Sequence, residues 1–367
     1  MKQALFATIL LFAGNMVAQN RSILFEQAGI NESLGKAKNE NKLVFIDCYT
    51  SWCGPCKQMS KYVFTNDTVA DFFNARFVNM KIDMEKDEGP ALAKEFNVGA
   101  YPTYLLLNSE RKVIYRFVGA LPADTFLTVV RKGMDPKNRV AVLNERYATG
   151  DRSKELLRDI IPVKVEGMEV SVANKLASEY FDMLSPKEKT LPENWFLFGE
   201  NRYSLYLSNV HSRTFSYLAD HWQDFVKGNG KEAVESKLGN MYRKIAEYTL
   251  RGWYFKGDNK KLIPYDKKEF EQYKKQIRST KLADKDQLLT LMDISMAAGV
   301  KDTARIIDLM AKNIGKMSGT NQYVAFAYLG MFPAAELRTN PRQREIIDAI
   351  IQSNRSENLV HFAKTLK

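Results

Sequence analysis

Two apolar runs near the start of the chain predict buried β-strands. Residues 43–49 read Leu-Val-Phe-Ile-Asp-Cys-Tyr and are apolar except at Asp47, and residues 77–83 form a second such run. Short apolar runs rich in strand-forming residues are typical of central strands that are covered on both faces. Residues 103–108 and 112–118 add a further pair of strand patterns, which predicts an antiparallel hairpin.

Helical patterns separate these strands. The spacing of apolar residues predicts helices after Cys53, after Asn66, from Pro90 and from Pro122. The alternation of strands and helices predicts an α/β domain over residues 19–135, with a mixed central sheet flanked by helices.

Beyond residue 139 the apolar spacing is helical throughout. We therefore predict an all-α helical domain over residues 136–367, with Pro162 among the residues that break one helix from the next. The predicted helices are residues 139–148, 151–161, 169–184, 203–227, 231–251, 267–278, 284–297, 300–315, 319–330 and 342–365, the last one broken near residues 353–356.

Composition limits the class of protein and its partners. A chain of 367 residues is long enough for more than one domain, and 45% hydrophobic and 26% charged residues are ordinary for a globular protein. The net charge is +11, but the positive residues are spread thinly along the sequence. Nucleic acid binding needs a clustered basic patch, so we expect no nucleic acid partner.

The N-terminus has the organisation of a signal peptide over residues 1–18. Lys2 precedes an apolar stretch at residues 4–13, and small residues precede a predicted cleavage after Ala18. A buried N-terminal helix is the alternative. No later apolar run reaches the roughly 18 residues of a membrane span, so the sequence predicts an exported, soluble, periplasmic protein.

The candidate chemistry lies directly after the first strand, at Trp52-Cys53-Gly54-Pro55-Cys56. The start of a helix stabilises an anion, which favours a thiolate at Cys53. Cys56 follows one turn later, within reach for a disulfide. We interpret the pair as a reactive dithiol.

A zinc site and a plain structural disulfide are the alternatives for this pair. A structural zinc site needs four ligands, but Cys48 is the only other cysteine, and the histidines, His211, His221 and His361, are far away in the sequence. A disulfide across two residues closes almost no loop and so stabilises little. We expect no metal and no organic cofactor.

These features resemble the thioredoxin family, over residues 25–133. Asp47 stands six residues before Cys53, Tyr101-Pro102-Thr103 resembles the cis-proline loop, and Phe117-Val118-Gly119-Ala120 resembles the last strand and its glycine. More narrowly, the segments WCGPCKQM, FFNARFVNMKIDMEK, EFNVGAYPT and FVGA resemble secreted thioredoxin-like proteins of Bacteroidetes-type bacteria.

The resemblance implies a role for each site residue. Cys53 is the expected nucleophile, Cys56 the resolving thiol and Asp47 the group that takes a proton from Cys56. A solvated strand-end aspartate is the alternative for Asp47. The expected substrate-binding residues are Trp52, Tyr101, a cis Pro102 and Gly119, whereas the alternatives are a core tryptophan and a trans proline.

Two positions depart from the family pattern. Lys61 stands where the family often has a proline that kinks the active-site helix. Asn79 aligns with a lysine that lies near the buried aspartate in many thioredoxins, and Lys81 follows two residues later. We therefore expect the proton transfer that accompanies resolution to be tuned differently here.

Together these observations predict an exported thiol–disulfide oxidoreductase that reduces protein or peptide disulfides. Its electrons would come from a membrane thiol reductase. One alternative is a disulfide oxidase or isomerase. Another is a partner-binding protein in which the helical domain does the recognition.

Overall fold

A computed structural model describes residues 21–199, 203–257, 261–353 and 356–367. The predicted signal peptide, residues 1–18, lies outside the described residues. Within them, no helix is long and apolar enough to cross a membrane. Packing divides the chain into two compact units, with the division between Ala173 and Asn174.

The first unit contains a mixed sheet and seven complete helices in its described part. Strands β1–β4 span Leu43–Tyr49, Phe77–Asp83, Thr103–Leu107 and Val113–Val118. Helices α1–α7 span Ile30–Glu40, Gly54–Gln58, Asp67–Arg76, Gly89–Glu95, Ala123–Met134, Arg139–Ala148 and Lys154–Glu166. The predicted α/β architecture is confirmed.

The sheet order is β2-β1-β3-β4. Strand β1 runs parallel to β2 and antiparallel to β3, and β3 pairs antiparallel with β4. The register sets Asp47 opposite Lys81 on one side and opposite Tyr104 on the other. Asp47 therefore lies inside the sheet, between two neighbouring strands.

Each face of the sheet carries its own hydrophobic core. The alternation of side chains along a strand sends Phe45 and Tyr104 to one face, and Val44, Ile46 and Cys48 to the other. Phe45 contacts Phe73, Tyr104 and Phe126 through ring–ring contacts. This double coverage explains why β1 is apolar at nearly every position.

The helices after β4 begin inside the first unit. Val140 of α6 packs against the Phe45 core, and the turn after α7 contacts Arg116 of β4. The boundary placed at residues 135–136 stays a prediction, and packing divides the chain later, within helix α8 (Val170–Met183).

The described part of the second unit is helical apart from turns and an isolated bridge between Lys256 and Leu262. Its helices α9–α21 span Pro186–Lys189, Ser204–Leu207, Arg213–Asp220, Trp222–Asn229, Lys231–Leu250, Lys267–Ser279, Lys285–Gly299, Thr303–Asn313, Gly319–Gln322, Val324–Leu329, Ala334–Thr339, Pro341–Ser353 and Glu357–Thr365. The predicted break near residues 353–356 is confirmed.

Two predictions about helix boundaries were wrong. Residues 203–227 form separate helices, because the Ser212 hydroxyl caps a new start by accepting from the Phe215 N–H at 3.2 Å. Pro162 lies inside α7 and does not end it. Burial of Ile160, Ile161 and Val165 along α7 offsets the roughly 3 kcal/mol that an interior proline costs.

Candidate active site

Cys53 and Cys56 form a disulfide at the start of α2, with their Cα atoms 5.3 Å apart. Cys53 is the N-cap residue of α2, and its sulfur accepts a hydrogen bond from the Cys56 N–H at 3.1 Å. Pro55 sits in the first turn, where its missing N–H leaves no helical hydrogen bond unmade. The structure therefore shows the oxidised state of a pair placed where a helix start would favour a thiolate.

The active-site helix continues without a proline. After α2 it becomes a π-helical turn over Met59–Val63, and the Phe64 N–H donates to the Met59 carbonyl at 2.9 Å. Such π turns occur often at functional sites. Lys61 lies within this turn, so the helix here changes its hydrogen-bond pattern at the segment where the family often has a proline kink.

Asp47 is a buried carboxyl group. Its residue is 1% exposed, and neither carboxyl oxygen has a hydrogen-bond partner in the described structure. Burial raises the pKa of Asp47 to about 7, and the positive charge of Lys81 opposes that rise. A solvated strand-end aspartate, the alternative at this position, is excluded by the burial.

Lys81 is the cation that accompanies Asp47. Its Nζ lies 3.9 Å from the Asp47 Oδ2 atom and donates to the Ser60 hydroxyl. Asn79 instead donates to the Leu24 carbonyl at 3.4 Å. The sequence alignment placed Asn79 at the position of the family's lysine, but the register sets Lys81 opposite Asp47.

A pocket joins the dithiol to this lysine. It has a volume of ≈ 330 Å³, and Cys56, Ser60 and Lys81 are among its lining residues. Lys81 thus borders the pocket and also reaches Asp47.

Trp52 lies beside the dithiol on the surface. It is 65% exposed, so it is not a core residue. Its indole N–H donates to both Glu85 carboxylate oxygens at 3.0 Å, and its ring meets the Tyr101 ring edge-on at 6.0 Å. Glu85 and Tyr101 therefore hold an exposed aromatic surface in a fixed orientation.

The loop before β3 carries the other predicted substrate-binding residues. The peptide bond between Tyr101 and Pro102 is cis. The Gly119 N–H donates to the Pro102 carbonyl at 2.9 Å, and Gly119 has a φ of 103°, a conformation that favours glycine. The structure thus connects the Pro102 loop to the end of β4.

Cys48 is the free cysteine, and it is completely buried on the sheet face away from Asp47. Burial raises the pKa of its thiol. Cys48 is therefore a core thiol. Among the described residues no group of three or more histidine, cysteine, aspartate or glutamate side chains is arranged to hold a metal ion.

Sequence reasoning did not assign roles to Lys81, Ser60 or Glu85. Strand alternation places Asn79 and Lys81 on the same face of β2, but it does not choose between them, because the register that sets residue 81 opposite Asp47 is a property of the folded sheet. Ser60 and Glu85 carry no such signal, since their contacts depend on how a helix and a loop pack against β2.

A family model described as a thioredoxin-like domain matches residues 30–133. A thioredoxin H-type protein of Fagopyrum esculentum is 37% identical over 90 residues, which are 24% of this chain and 72% of that protein. This chain belongs to the thioredoxin family. It is accordingly a thiol–disulfide oxidoreductase.

Two further proteins are similar to part of this chain. The thiol:disulfide interchange protein DsbD of Haemophilus ducreyi is 38% identical over 92 residues, 24% of this chain and 16% of that protein. The solution structure of a candidate disulphide-isomerase from Bacteroides thetaiotaomicron is 49% identical, and the match covers 33% of this chain and 99% of that one with a TM-score of 0.31.

The raised pKa of Asp47 predicts a specific pH dependence of stability. Between about pH 4 and pH 7 the folded protein keeps a proton on Asp47 that the unfolded chain has released. Stability from this residue therefore falls as pH rises through that window, by about 1.4 kcal/mol for each pH unit. We expect Asp47→Asn to be more stable than the wild type at pH 8, with the difference shrinking toward pH 4, in urea unfolding of the oxidised protein.

Two variants serve as comparisons for this measurement. Lys81→Met should raise the Asp47 pKa further and extend the fall in stability to higher pH, because it removes the opposing charge. Asp71→Asn is the control, since that side chain is 51% exposed. A stability gain in Asp47→Asn that is equal at pH 4 and pH 8 would contradict the prediction.

Proposed function

We propose that this protein reduces disulfide bonds in proteins or peptides outside the cytoplasm. The observation that carries the proposal is the Cys53–Cys56 disulfide at the start of α2. Membership of the thioredoxin family supports the reaction class. We further propose the class of substrate, the reducing direction and the compartment outside the cytoplasm.

The reaction begins from the reduced pair. The Cys53 thiolate attacks one sulfur of the substrate disulfide, which forms a mixed disulfide and releases the other substrate sulfur as a thiolate. Cys56, once deprotonated, attacks the Cys53 sulfur and releases the second substrate thiol. Two electrons have then passed to the substrate, and the protein carries the Cys53–Cys56 disulfide.

Asp47 is proposed to take the proton from Cys56 during resolution. A general base works best when its pKa lies near the operating pH, and burial raises the pKa of Asp47 to about 7. Cys56 and Lys81 line the same pocket, and Lys81 lies 3.9 Å from Asp47, which supports a short path between the thiol and the carboxyl group. Lys81 would stabilise the Asp47 carboxylate before it takes the proton and again after it passes that proton to solvent.

The substrate strand is proposed to lie across Trp52, Tyr101, Pro102 and Gly119. An extended peptide can pair with exposed backbone beside a sheet, so that main-chain hydrogen bonds supply affinity without a strict sequence requirement. The exposed Trp52 ring would cover the apolar part of the substrate next to the disulfide. Its hydrogen bond to Glu85 supports a fixed orientation.

The reducing direction is supported by the spacer and by the relatives. Gly54-Pro55 resembles the spacer of reducing thioredoxins, and a matched relative is itself a thioredoxin. A reduced dithiol in an oxidising compartment needs an electron source. We propose a membrane thiol reductase as that donor, and the likeness to a thiol:disulfide interchange protein supports this class of partner.

Substitution of the cysteines tests the reaction. We expect Cys53→Ser to reduce insulin disulfides no faster than the uncatalysed rate, because the nucleophile is lost. Cys56→Ser should accumulate a mixed disulfide at Cys53, visible by mass spectrometry without reductant. Cys48→Ala is the matched control and should retain activity, since Cys48 is buried away from the pair. Full activity in Cys53→Ser would disprove the mechanism.

The redox potential of the pair tests the direction. Equilibration with dithiothreitol or glutathione should give a value near that of thioredoxin, about −270 mV, if the protein is a reductase. A value near about −120 mV, typical of a strong oxidant, would reverse the assignment. An intermediate value near about −180 mV would favour an isomerase.

Export is proposed from the organisation of residues 1–18. We expect the protein recovered from the periplasmic fraction of an expressing bacterium to begin at Gln19, because cleavage is predicted after Ala18. Intact mass spectrometry measures this directly. Recovery of an uncleaved chain in the cytoplasm alone would refute export, and the cysteine variants would still test the reaction.

A further inference from the structure

Arg116 of β4 connects the sheet to the segment that leads into the Pro102 loop. Its side chain is 6% exposed. The guanidinium donates to the carbonyl of Phe96 and to that of Asn97, the latter at 3.0 Å. These two residues follow α4 and come directly before the loop that carries Tyr101 and Pro102.

The same guanidinium also reaches the turn between α7 and α8. It donates to the Gly167 carbonyl at 3.4 Å, and its Nε lies 3.9 Å from a Glu169 carboxylate oxygen. The buried Arg116 side chain therefore contacts both the segment that follows α4 and the turn that follows α7. Three backbone carbonyls accept hydrogen bonds from it, and the Glu169 carboxylate supplies the opposite charge.

A second cation completes this buried network. Lys164 of α7 donates to Glu169 at 3.2 Å and to the Asn144 side chain of α6 at 2.9 Å. The Lys164 and Glu169 side chains are 10% and 16% exposed. Removing one member of a buried charged network is costly, because its partners stay buried without compensation.

The loop and the turn also approach each other closely through their backbones. A Cβ added at Gly99 would lie 3.1 Å from the Met168 carbonyl oxygen, and a Cβ added at Gly167 would lie 3.0 Å from the Arg116 Cδ. The Gly99 position is two residues before Tyr101. The turn after α7 is thus packed against the loop at the point where the substrate-binding segment begins.

We propose that Arg116 is a positioning residue for substrate binding, which holds residues 98–102 against the turn at residues 167–169. Helices α6 and α7 of the first unit then hold the Pro102 loop of the proposed substrate site in place. This inference rests on the proposed function, because it assigns a substrate to the Pro102 loop. The interaction itself does not depend on that assignment.

Hydrogen–deuterium exchange of the oxidised full chain tests whether Arg116 holds the loop in place. We expect the amides of Val98 and Gly119, which donate to the Ala93 and Pro102 carbonyls, to exchange at least about tenfold faster in Arg116→Met, because loss of the hydrogen bonds to a charged group frees the segment between α4 and Pro102. Arg111→Met is the matched control. Arg111 lies just before the same strand and binds Glu95 of α4 and Asn31 of α1. Its guanidinium lies 6.0 Å from the centre of the Phe96 ring, but its hydrogen bonds go to neither the Phe96 nor the Asn97 carbonyl.

Steady-state kinetics test the effect on substrate. A misplacement of about 1 Å can cost up to about 10²-fold in rate, so we expect KM for insulin to rise about tenfold in Arg116→Met. The rate with a small symmetric aromatic disulfide should change less than about twofold, since it needs little of the loop. Arg111→Met should match the wild type in both assays.

The outcomes separate the two proposals. Unchanged amide exchange in folded Arg116→Met would show that Arg116 does not hold the loop against the turn. Faster exchange with an unchanged KM would show that the position of the loop does not affect substrate binding. Equal losses with insulin and the small disulfide would also overturn it. If the wild type does not reduce insulin, the proposed function fails while the exchange result stands. If Arg116→Met does not fold, Glu169→Gln should show a smaller acceleration at the same amides, and none would overturn the proposal.

Discussion

The pairing of β1 with strands on both sides is the constraint on which the redox site depends. A central strand has no route to solvent along its length, so a carboxyl group at Asp47 must be buried. The parallel register with β2 brings Lys81 opposite it. The end of the same strand delivers the chain to Cys53 and to the start of α2, so strand, acid and dithiol are fixed by one element.

Burial of the Asp47 carboxyl group is unfavourable for the fold but suits the proton transfer proposed for it. A carboxylate without hydrogen bonds in a low-dielectric site costs stability at neutral pH, and natural proteins retain such costs mainly at functional sites. Lys81 limits the cost without removing it, because the ion pair is 3.9 Å apart and the lysine also bonds Ser60. The result is an acid whose pKa of about 7 suits proton transfer at ordinary pH.

The first unit extends past the thioredoxin-like domain. The family match ends at residue 133, but packing continues through α6 and α7 to residue 173. The buried charges of Arg116, Glu169 and Lys164 bind this extension to the sheet. Because such charges must all be partnered, they specify how the extension sits on the domain more narrowly than apolar contacts alone would.

The sequence by itself determined the fold of the first unit, the dithiol and most of the helices. Apolar runs of strand length, helical spacing and cap residues such as Asn66 act locally, and the Cys-Gly-Pro-Cys segment begins only six residues after Asp47. Such local patterns are reliable because the burial and capping in the folded protein favour the same residues that the local preferences favour.

Only the tertiary structure decided which distant groups meet. The pairing of Asp47 with Lys81 in place of Asn79 depended on strand register, and the Trp52–Glu85 bond depended on the packing of a loop. The continuity of α7 through Pro162 depended on buried neighbours that outweigh a local signal. The Arg116 network joins residues more than fifty positions apart in sequence, so no local pattern could have indicated it. The physical reason is that long-range contacts depend on burial and on the geometry of the partners, and both exist only once the chain has folded.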